Sequence, residues 1–293
     1  MFTMAKIKDG STYLGHHLTQ NDYYCEKETV SGTWRGKGAE RLSFQGEIQA
    51  GDHAFESLRN NRHPTTGARL TQRDGKDRIC FYDFQCSAQK SVSVMAVTMG
   101  DHRLIEAHDA AVEIAFGELE RFAATQENTP IVRQNRVTGN VIAAVFRHTA
   151  SRALDPQMHT HHVVVNATWD EKTMSWRALT EFEILRAIRY AGKVYQNEIA
   201  KSCIQLGYQI ETSKDEKGRA TGFEISGVSE EVRTRFSKRR AEVEKGIEAF
   251  RQKHGRMPTA AETHSITVAS RDAKLNTSPV VVGLEGVLPN FEK

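Results

Sequence analysis

The chain is poor in the residues that staple or stiffen a fold. Its 293 residues include four cysteines, Cys25, Cys80, Cys86 and Cys203, scattered with no CxxC pair. Such spacing fits free thiols in a reducing compartment, not a disulfide framework. Six prolines leave no Pro-rich linker, and there is no internal repeat or low-complexity segment. No apolar run approaches the roughly 18 residues that cross a bilayer. The opening MFTMAKIKDG also lacks the apolar stretch of a signal peptide. The expectation is a cytoplasmic protein with no membrane insertion. An excess of one charge is missing as well: 40 Lys and Arg against 37 Asp and Glu leave +3. That excludes a polyanion binder relying on bulk charge, so any phosphate recognition must be local. No GxxxxGK[ST] phosphate loop occurs.

What is present is an ordinary globular composition, 39% apolar and 26% charged. Met4 to Ile7 reads as a strand, Ser11 to Leu18 as a short helix, and Gln20 to Gly38 as a loop or hairpin. Arg78 to Gln85 is β-prone, with Cys80, Tyr82 and Phe84 on one face and Phe81, Asp83 and Gln85 on the other. Residues 90–97 and 102–123 have helical apolar spacing, the latter through Leu104, Ile105, Ala111, Val112, Ile114, Ala115 and Leu119. Val141 to Thr149 and His159 to Thr168 are further strands. Helices resume at Glu181 to Leu206, Ser229 to Lys253 and Thr259 to Lys274. The pattern predicts an α+β fold, a largely antiparallel central sheet with helices packed on it. The domain is expected over residues 1–275, with 276–293 a loose tail or the start of a linker to a missing carboxy-terminal region.

The most informative segment is FRHTASRALDPQMHTHHVVVNA, residues 146–167. His159 and His161 are two apart in a strand that continues through Val163 and Val165, so all four share one face. His162 points to the other. His148 ends the preceding strand, and the Asp155-Pro156 turn lets the two strands pair. Three imidazoles then converge. Neutral imidazoles suit a divalent cation such as Zn²⁺, Mn²⁺ or Ni²⁺ and leave coordination positions open for a substrate oxygen. The ion expected here is Mg²⁺ or Mn²⁺, with Zn²⁺ and Ni²⁺ as alternatives.

Tyr13, Tyr23 and Tyr24 lie in a polar amino-terminal segment. Phenol has a pKa of about 10 and needs help to attack at neutral pH, which a metal or a base supplies. Tyrosine with a metal suggests attack on phosphorus, because the cation can bind a phosphodiester oxygen.

Together these segments resemble the MobF-type conjugative relaxases, within the HUH group of DNA-nicking enzymes. Four blocks fall in the family's order. Tyr13 with Tyr23-Tyr24 comes first, then Trp34-Arg35-Gly36-Lys37-Gly38-Ala39-Glu40-Arg41-Leu42, similar to WxGKGAExL. Asp83-Phe84-Gln85-Cys86-Ser87-Ala88-Gln89-Lys90-Ser91-Val92-Ser93 resembles D-L-T-F-S-A-P-K-S-V-S, and His148 with His159-Thr160-His161 closes the order. Leu14 stands where the second tyrosine of the first pair would be, and Gln89 replaces a proline.

The resemblance implies nicking and rejoining of one strand of plasmid DNA at an origin of transfer. Tyr13 would be the nucleophile, leaving a 5′-phosphotyrosine and a free 3′ hydroxyl. Tyr23 and Tyr24 would serve a second strand transfer or line the DNA groove. Asp83 would accept the phenol proton or orient a ligand imidazole. The implied partners are single-stranded origin DNA with its adjacent hairpin, and accessory relaxosome and coupling proteins, around a monomer. A carboxy-terminal helicase is common in the family.

Arg35, Lys37, Lys90, Arg147, Arg152 and Arg189 are the basic residues best suited to DNA phosphates. Arg186, Lys193 and the run Arg233, Arg235, Lys238, Arg239 and Arg240 are further basic positions. A rolling-circle replication initiator is the rival enzyme, and a non-catalytic DNA-binding module with a closed metal site the rival of another class.

Overall fold

The computed structural model describes residues 2–8, 32–44, 46–49, 51–72, 74–75, 77–128, 133–151 and 154–272. Among the described residues the strands are β1 (Phe2–Ile7), β2 (Gly32–Arg35), β3 (Glu47–Ile48), β4 (Phe81–Ser87), β5 (Ala124–Asn128), β6 (Arg133–Val137), β7 (Ala143–Ala150), β8 (Pro156–Val165), β9 (Thr168–Asp170), β10 (Ser175–Arg177), β11 (Leu179–Thr180), β12 (Ile210–Lys214) and β13 (Ala220–Ile225). The helices are α1 (Lys37–Arg41), α2 (His53–Arg59), α3 (Lys90–Ser93, continued by a π-helical turn Val94–Thr98), α4 (Arg103–Glu120), α5 (Phe182–Gln205), α6 (Glu230–Arg235), α7 (Lys238–His254) and α8 (Ala260–Asp272).

The central sheet runs β1-β4-β8-β7-β2-β3, every neighbouring pair antiparallel. This is the α+β class that the sequence predicts. β8 lies inside the sheet, and its second half, Val163-Val164-Val165, is β-branched and buried on both faces. Alternation along the strands then builds two cores. Tyr82, Phe84, Cys86, Met158 and Val164 face α4 and α5. Phe81, Ala144, Phe146, Val163 and Val165 face Trp34, Ala39 of α1, and Phe55 and Leu58 of α2. Each large apolar side chain so buried contributes roughly 1.5–3 kcal/mol.

α4 earns its place through an apolar stripe at helical spacing, Leu104, Ile105, Ala111, Val112, Ala115, Phe116 and Leu119. Ile114, assigned to that stripe by spacing, is 48% exposed instead. Cys80 also differs from expectation. It precedes β4 and packs with Phe81 in the second core. The Gln20 to Gly38 stretch is not wholly loop, because Gly32–Arg35 pairs with β7 inside the main sheet. The helix expected at Ser11 to Leu18 and the tail 276–293 lie outside the described residues.

The helix expected over Ser229 to Lys253 is two. Ser229 caps α6 by accepting from Val232 N at 3.3 Å. The chain then breaks at Phe236, whose ring enters the main core with 2% exposure. α7 restarts with Lys238 N donating to the buried Asp155 carboxylate at 2.8 Å, and it ends on Gly255 in the left-handed region.

Candidate active site on the histidine face of the sheet

In the β7–β8 ladder His148 pairs with His159, and Phe146 with His161. In the β4–β8 ladder Gln85 pairs with His161 and Ser87 with His159. Directly paired residues share a face, so His148, His159 and His161 project together on the side of the smaller core. Their ring centres lie 5.1 Å (His159 to His161), 5.3 Å (His148 to His159) and 5.6 Å (His148 to His161) apart. The register of β7 shifts between His148 and Ala150, a bulge at the residue that must be aimed.

Two of the rings are held by the same kind of contact. Both oxygens of Asp83 lie 2.9 Å from His161 Nδ1, and the Gln157 carbonyl lies 2.8 Å from His159 Nδ1. An acceptor at Nδ1 places the proton there and the lone pair on Nε2, the arrangement of a metal-ligating histidine with an orienting partner. Burial, and then the neighbouring His161, lower the His159 pKa to about 4, so its ring is neutral at pH 7. As the side chains stand, no three His, Cys, Asp or Glu among the described residues meet the geometry of a metal-holding group. The rings are oriented neighbours with suitable donor chemistry, short of a closed cage.

His162 goes through the sheet to the other side, as alternation requires. It is 1% exposed and stacks on Phe116 of α4 with ring centres 4.0 Å apart. Burial lowers its pKa to about 3.

The WRGKGAERL block turns out to be a clamp between sheet and helix. Glu120, at the end of α4, accepts from Lys37 N at 2.8 Å and from Val141 N at 3.0 Å. Gly36 holds φ +94°, and a Cβ on Gly38 would sit 2.7 Å from the Val141 carbonyl, so neither position takes a side chain. Burial raises the Glu120 pKa, opposed by the two amides. Sequence reasoning passed over both Glu120 and Gln157. Glu120 directly follows the last residue of an apolar stripe, Leu119, with nothing local to mark it, and Gln157 acts through its backbone.

The basic residues expected at DNA scatter. Arg35 Nε is 3.2 Å from Glu113 of α4, and Arg147 pairs with Asp109 of the same helix. Both alternate with residues of the histidine-side face, Trp34 and His148, and so lie on the helix side of the sheet. Lys37 contributes its backbone amide to the clamp. Lys90 donates to the Pro156 carbonyl at 2.9 Å, and burial lowers its pKa to about 8 against the pull of Asp155 and Glu224. Arg189 is exposed on α5, the helix layer. Arg152, Tyr13, Tyr23 and Tyr24 lie outside the described residues.

A family model described as TrwC relaxase matches residues 7–281. The chain belongs to the TrwC relaxase family. It is a relaxase domain of the MobF type, as the order of its four sequence blocks implies. Two curated relatives are the multifunctional conjugation proteins TraI of Escherichia coli, 33% identical over 257 residues, and of Escherichia coli strain K12, 32% identical over 242. Those stretches are 84% and 79% of this chain but 14% and 13% of the TraI chains, so this chain spans about a seventh of their length. Among solved structures, the copper-bound conjugative relaxase TrwC in complex with oriT DNA superposes with a TM-score of 0.79 at 29% identity, covering 98% of this chain and 94% of that one. TrwC complexed with a 27-mer DNA comprising the recognition hairpin and the cleavage site gives 0.75 at 30% identity over the same shares. A further TrwC complex with oriT DNA is described as metal-bound. Among the described residues no helix is long and apolar enough to cross a membrane.

Proposed function

We propose that this relaxase domain nicks and rejoins one strand of plasmid DNA at an origin of transfer, with a divalent cation held by His148, His159 and His161. The observation that carries the reading is the Asp83–His161 contact within the three-ring cluster, because an orienting carboxylate is what a ligand imidazole needs and a core histidine does not. The donor set fits such an ion: three imidazoles on adjacent strands, two with Nδ1 already engaged. When bound, the cation would polarise a non-bridging oxygen of the scissile phosphate.

The chain's own groups do the rest. Tyr13 is the nucleophile in this reading. Its oxygen bonds to phosphorus, the 3′ oxygen of the preceding nucleotide leaves with a proton, and a 5′-phosphotyrosine remains. Because one phosphoester replaces another, the strand can be rejoined by the reverse step. Tyr23 and Tyr24 serve a second transfer or line the groove. Asp83 holds His161 in register and is a positioning residue here. Lys37, Lys90, Arg152 and Arg189 are candidate phosphate contacts, with Arg35 committed to Glu113 in the absence of DNA. We further propose the domain boundary near residue 275, the tail 276–293 leading out of it, a cytoplasmic setting, a monomer, and relaxosome and coupling proteins as partners. The oriT complexes of the TrwC neighbours favour this reading over a replication initiator or a non-catalytic module.

The test is incubation with labelled single-stranded origin DNA and a divalent cation. A covalent adduct is expected, mapped by peptide analysis to Tyr13. Tyr13→Phe should abolish it while oligonucleotide binding persists, since the ring can still stack. An adduct on Tyr23 or Tyr24 with normal cleavage by Tyr13→Phe would overturn the assignment.

A further inference from the structure

Behind the histidine face lies a polar network that the reaction does not use. His108 of α4, Thr160 of β8 and Tyr195 of α5 are 0%, 3% and 0% exposed. His108 Nε2 is 3.0 Å from Thr160 Oγ1, and His108 Nδ1 is 2.8 Å from the Tyr195 hydroxyl. Thr160 is the residue between His159 and His161, turned to the opposite side by the pleat. The residue next to His108 is Asp109, which pairs with Arg147, the neighbour of His148. Arg147 and Thr160 are themselves cross-strand partners in the β7–β8 ladder.

One dipeptide of α4 thus grips one rung of the sheet from behind. That rung sits between the rungs His148–His159 and Phe146–His161, which carry the three rings. The position is a demanding one. Regular β7–β8 pairing ends beside it at the bulge after His148, so the ladder alone constrains the strands least here. Burying polar groups is costly unless each is hydrogen-bonded, whereas valine at 160 would fill the same volume without that requirement. A satisfied buried network specifies a single geometry, and here it specifies the height and twist of the two ligand-bearing strands.

We propose that the His108–Asp109 grip on Thr160 and Arg147, braced by Tyr195, is a positioning device that sets the spacing of the three histidines for their divalent cation. The inference rests on the reading of those histidines as ligands, and it gives Arg147 a positioning role in place of a phosphate contact.

The experiment titrates the metal-free protein with Co²⁺ alone, reading affinity by calorimetry and coordination by the visible absorption band. Melting temperature is followed in parallel. Thr160→Val should lose about tenfold in affinity, the scale of lost orienting contacts around a metal, with a shifted band. Thr160→Ser, which keeps the hydroxyl, should retain both. Tyr195→Phe removes one oxygen at the far end of the network and should weaken binding less than Thr160→Val. Should Thr160→Val not fold, Tyr195→Phe against Thr160→Ser carries the test. A folded Thr160→Val or Tyr195→Phe chain with wild-type affinity and band, merely melting lower, would make the network structural and overturn the proposal. His161→Ala is the control: undiminished Co²⁺ binding there would instead overturn the ligand assignment.

Discussion

The two faces of the central sheet are built for different ends. The helix face is thick: α4 and α5 lay long apolar stripes on it, and its one histidine from the HTHH run, His162, is stacked and sealed. Among the described residues the opposite face is thinner. Short helices α1 and α2 lie over the stretch around Trp34, Phe55 and Phe146, and the row then changes from apolar side chains to three imidazoles, two of them, His148 and His159, buried. One strand, β8, serves both, with its apolar and histidine positions set by parity alone. The lesson is that where the row turns from apolar to polar, buried side chains must be held by specific contacts such as Asp83 to His161.

Adjacent residues of β8 give the largest expected effects. His159→Ala should abolish adduct formation while lowering the melting temperature of the metal-free protein less than the same change at the fully sealed His162. His162→Ala should instead cost about 2–4 kcal/mol by the cavity left against Phe116, and still nick DNA below its melting point. Loss of activity in both, at equal stability, would erase the distinction between faces. Asp83→Asn tests the thin face from within. It should lower metal affinity about 10- to 100-fold, read by Co²⁺ titration, while the chain stays folded.

Parity is also why so much of this was legible in the sequence. Long periodic elements such as α4 and α5 announce themselves, and HxH on a strand fixes three residues' directions at once. The same reasoning sends His162 inward correctly. What stayed hidden depends on contacts between residues far apart in the chain. Ile114 matches the helical period but is half exposed. The β2 strand is four residues long, and only pairing with β7 makes it a strand. Arg147 reads as a DNA-facing cation beside a candidate ligand, His148, until Asp109 is seen across from it. Composition marks a charge; only tertiary packing says which side of a sheet it serves.

The glycine clamp is the next test, joining the two faces at Glu120. Gly36 holds φ +94°, and a Cβ there would meet the Val141 carbonyl at 2.4 Å. Gly36→Ala should therefore destabilise the chain by about 1–3 kcal/mol or more, measured by urea unfolding. Co²⁺ affinity should be unchanged, because the clamp holds α1 to the sheet edge and leaves the β7–β8 rungs alone. A fall in affinity with no loss of stability would mean that the block belongs to the site.

The smallest expected effect separates the faces by protonation. Burial holds His162 near a pKa of about 3 in the folded chain, whereas an unfolded histidine titrates at about 6.5. Between those values the unfolded chain binds a proton that the native chain does not. Stability from this group is therefore complete above pH 6.5 and is lost as pH falls towards 3, with a slope of about 1.4 kcal/mol per pH unit. His162→Phe keeps an aromatic ring against Phe116 and removes the titrating group. Urea midpoints followed from pH 6.5 down to 5 should fall less steeply in that variant, by the slope of one proton, while nicking at pH 7 is retained. His108, lowered to about 3, and His159, lowered to about 4, add slope of the same sign in both chains. Equal slopes in the variant and the wild type would mean that His162 already takes up its proton in the native state, and the sealed face would then be open to water.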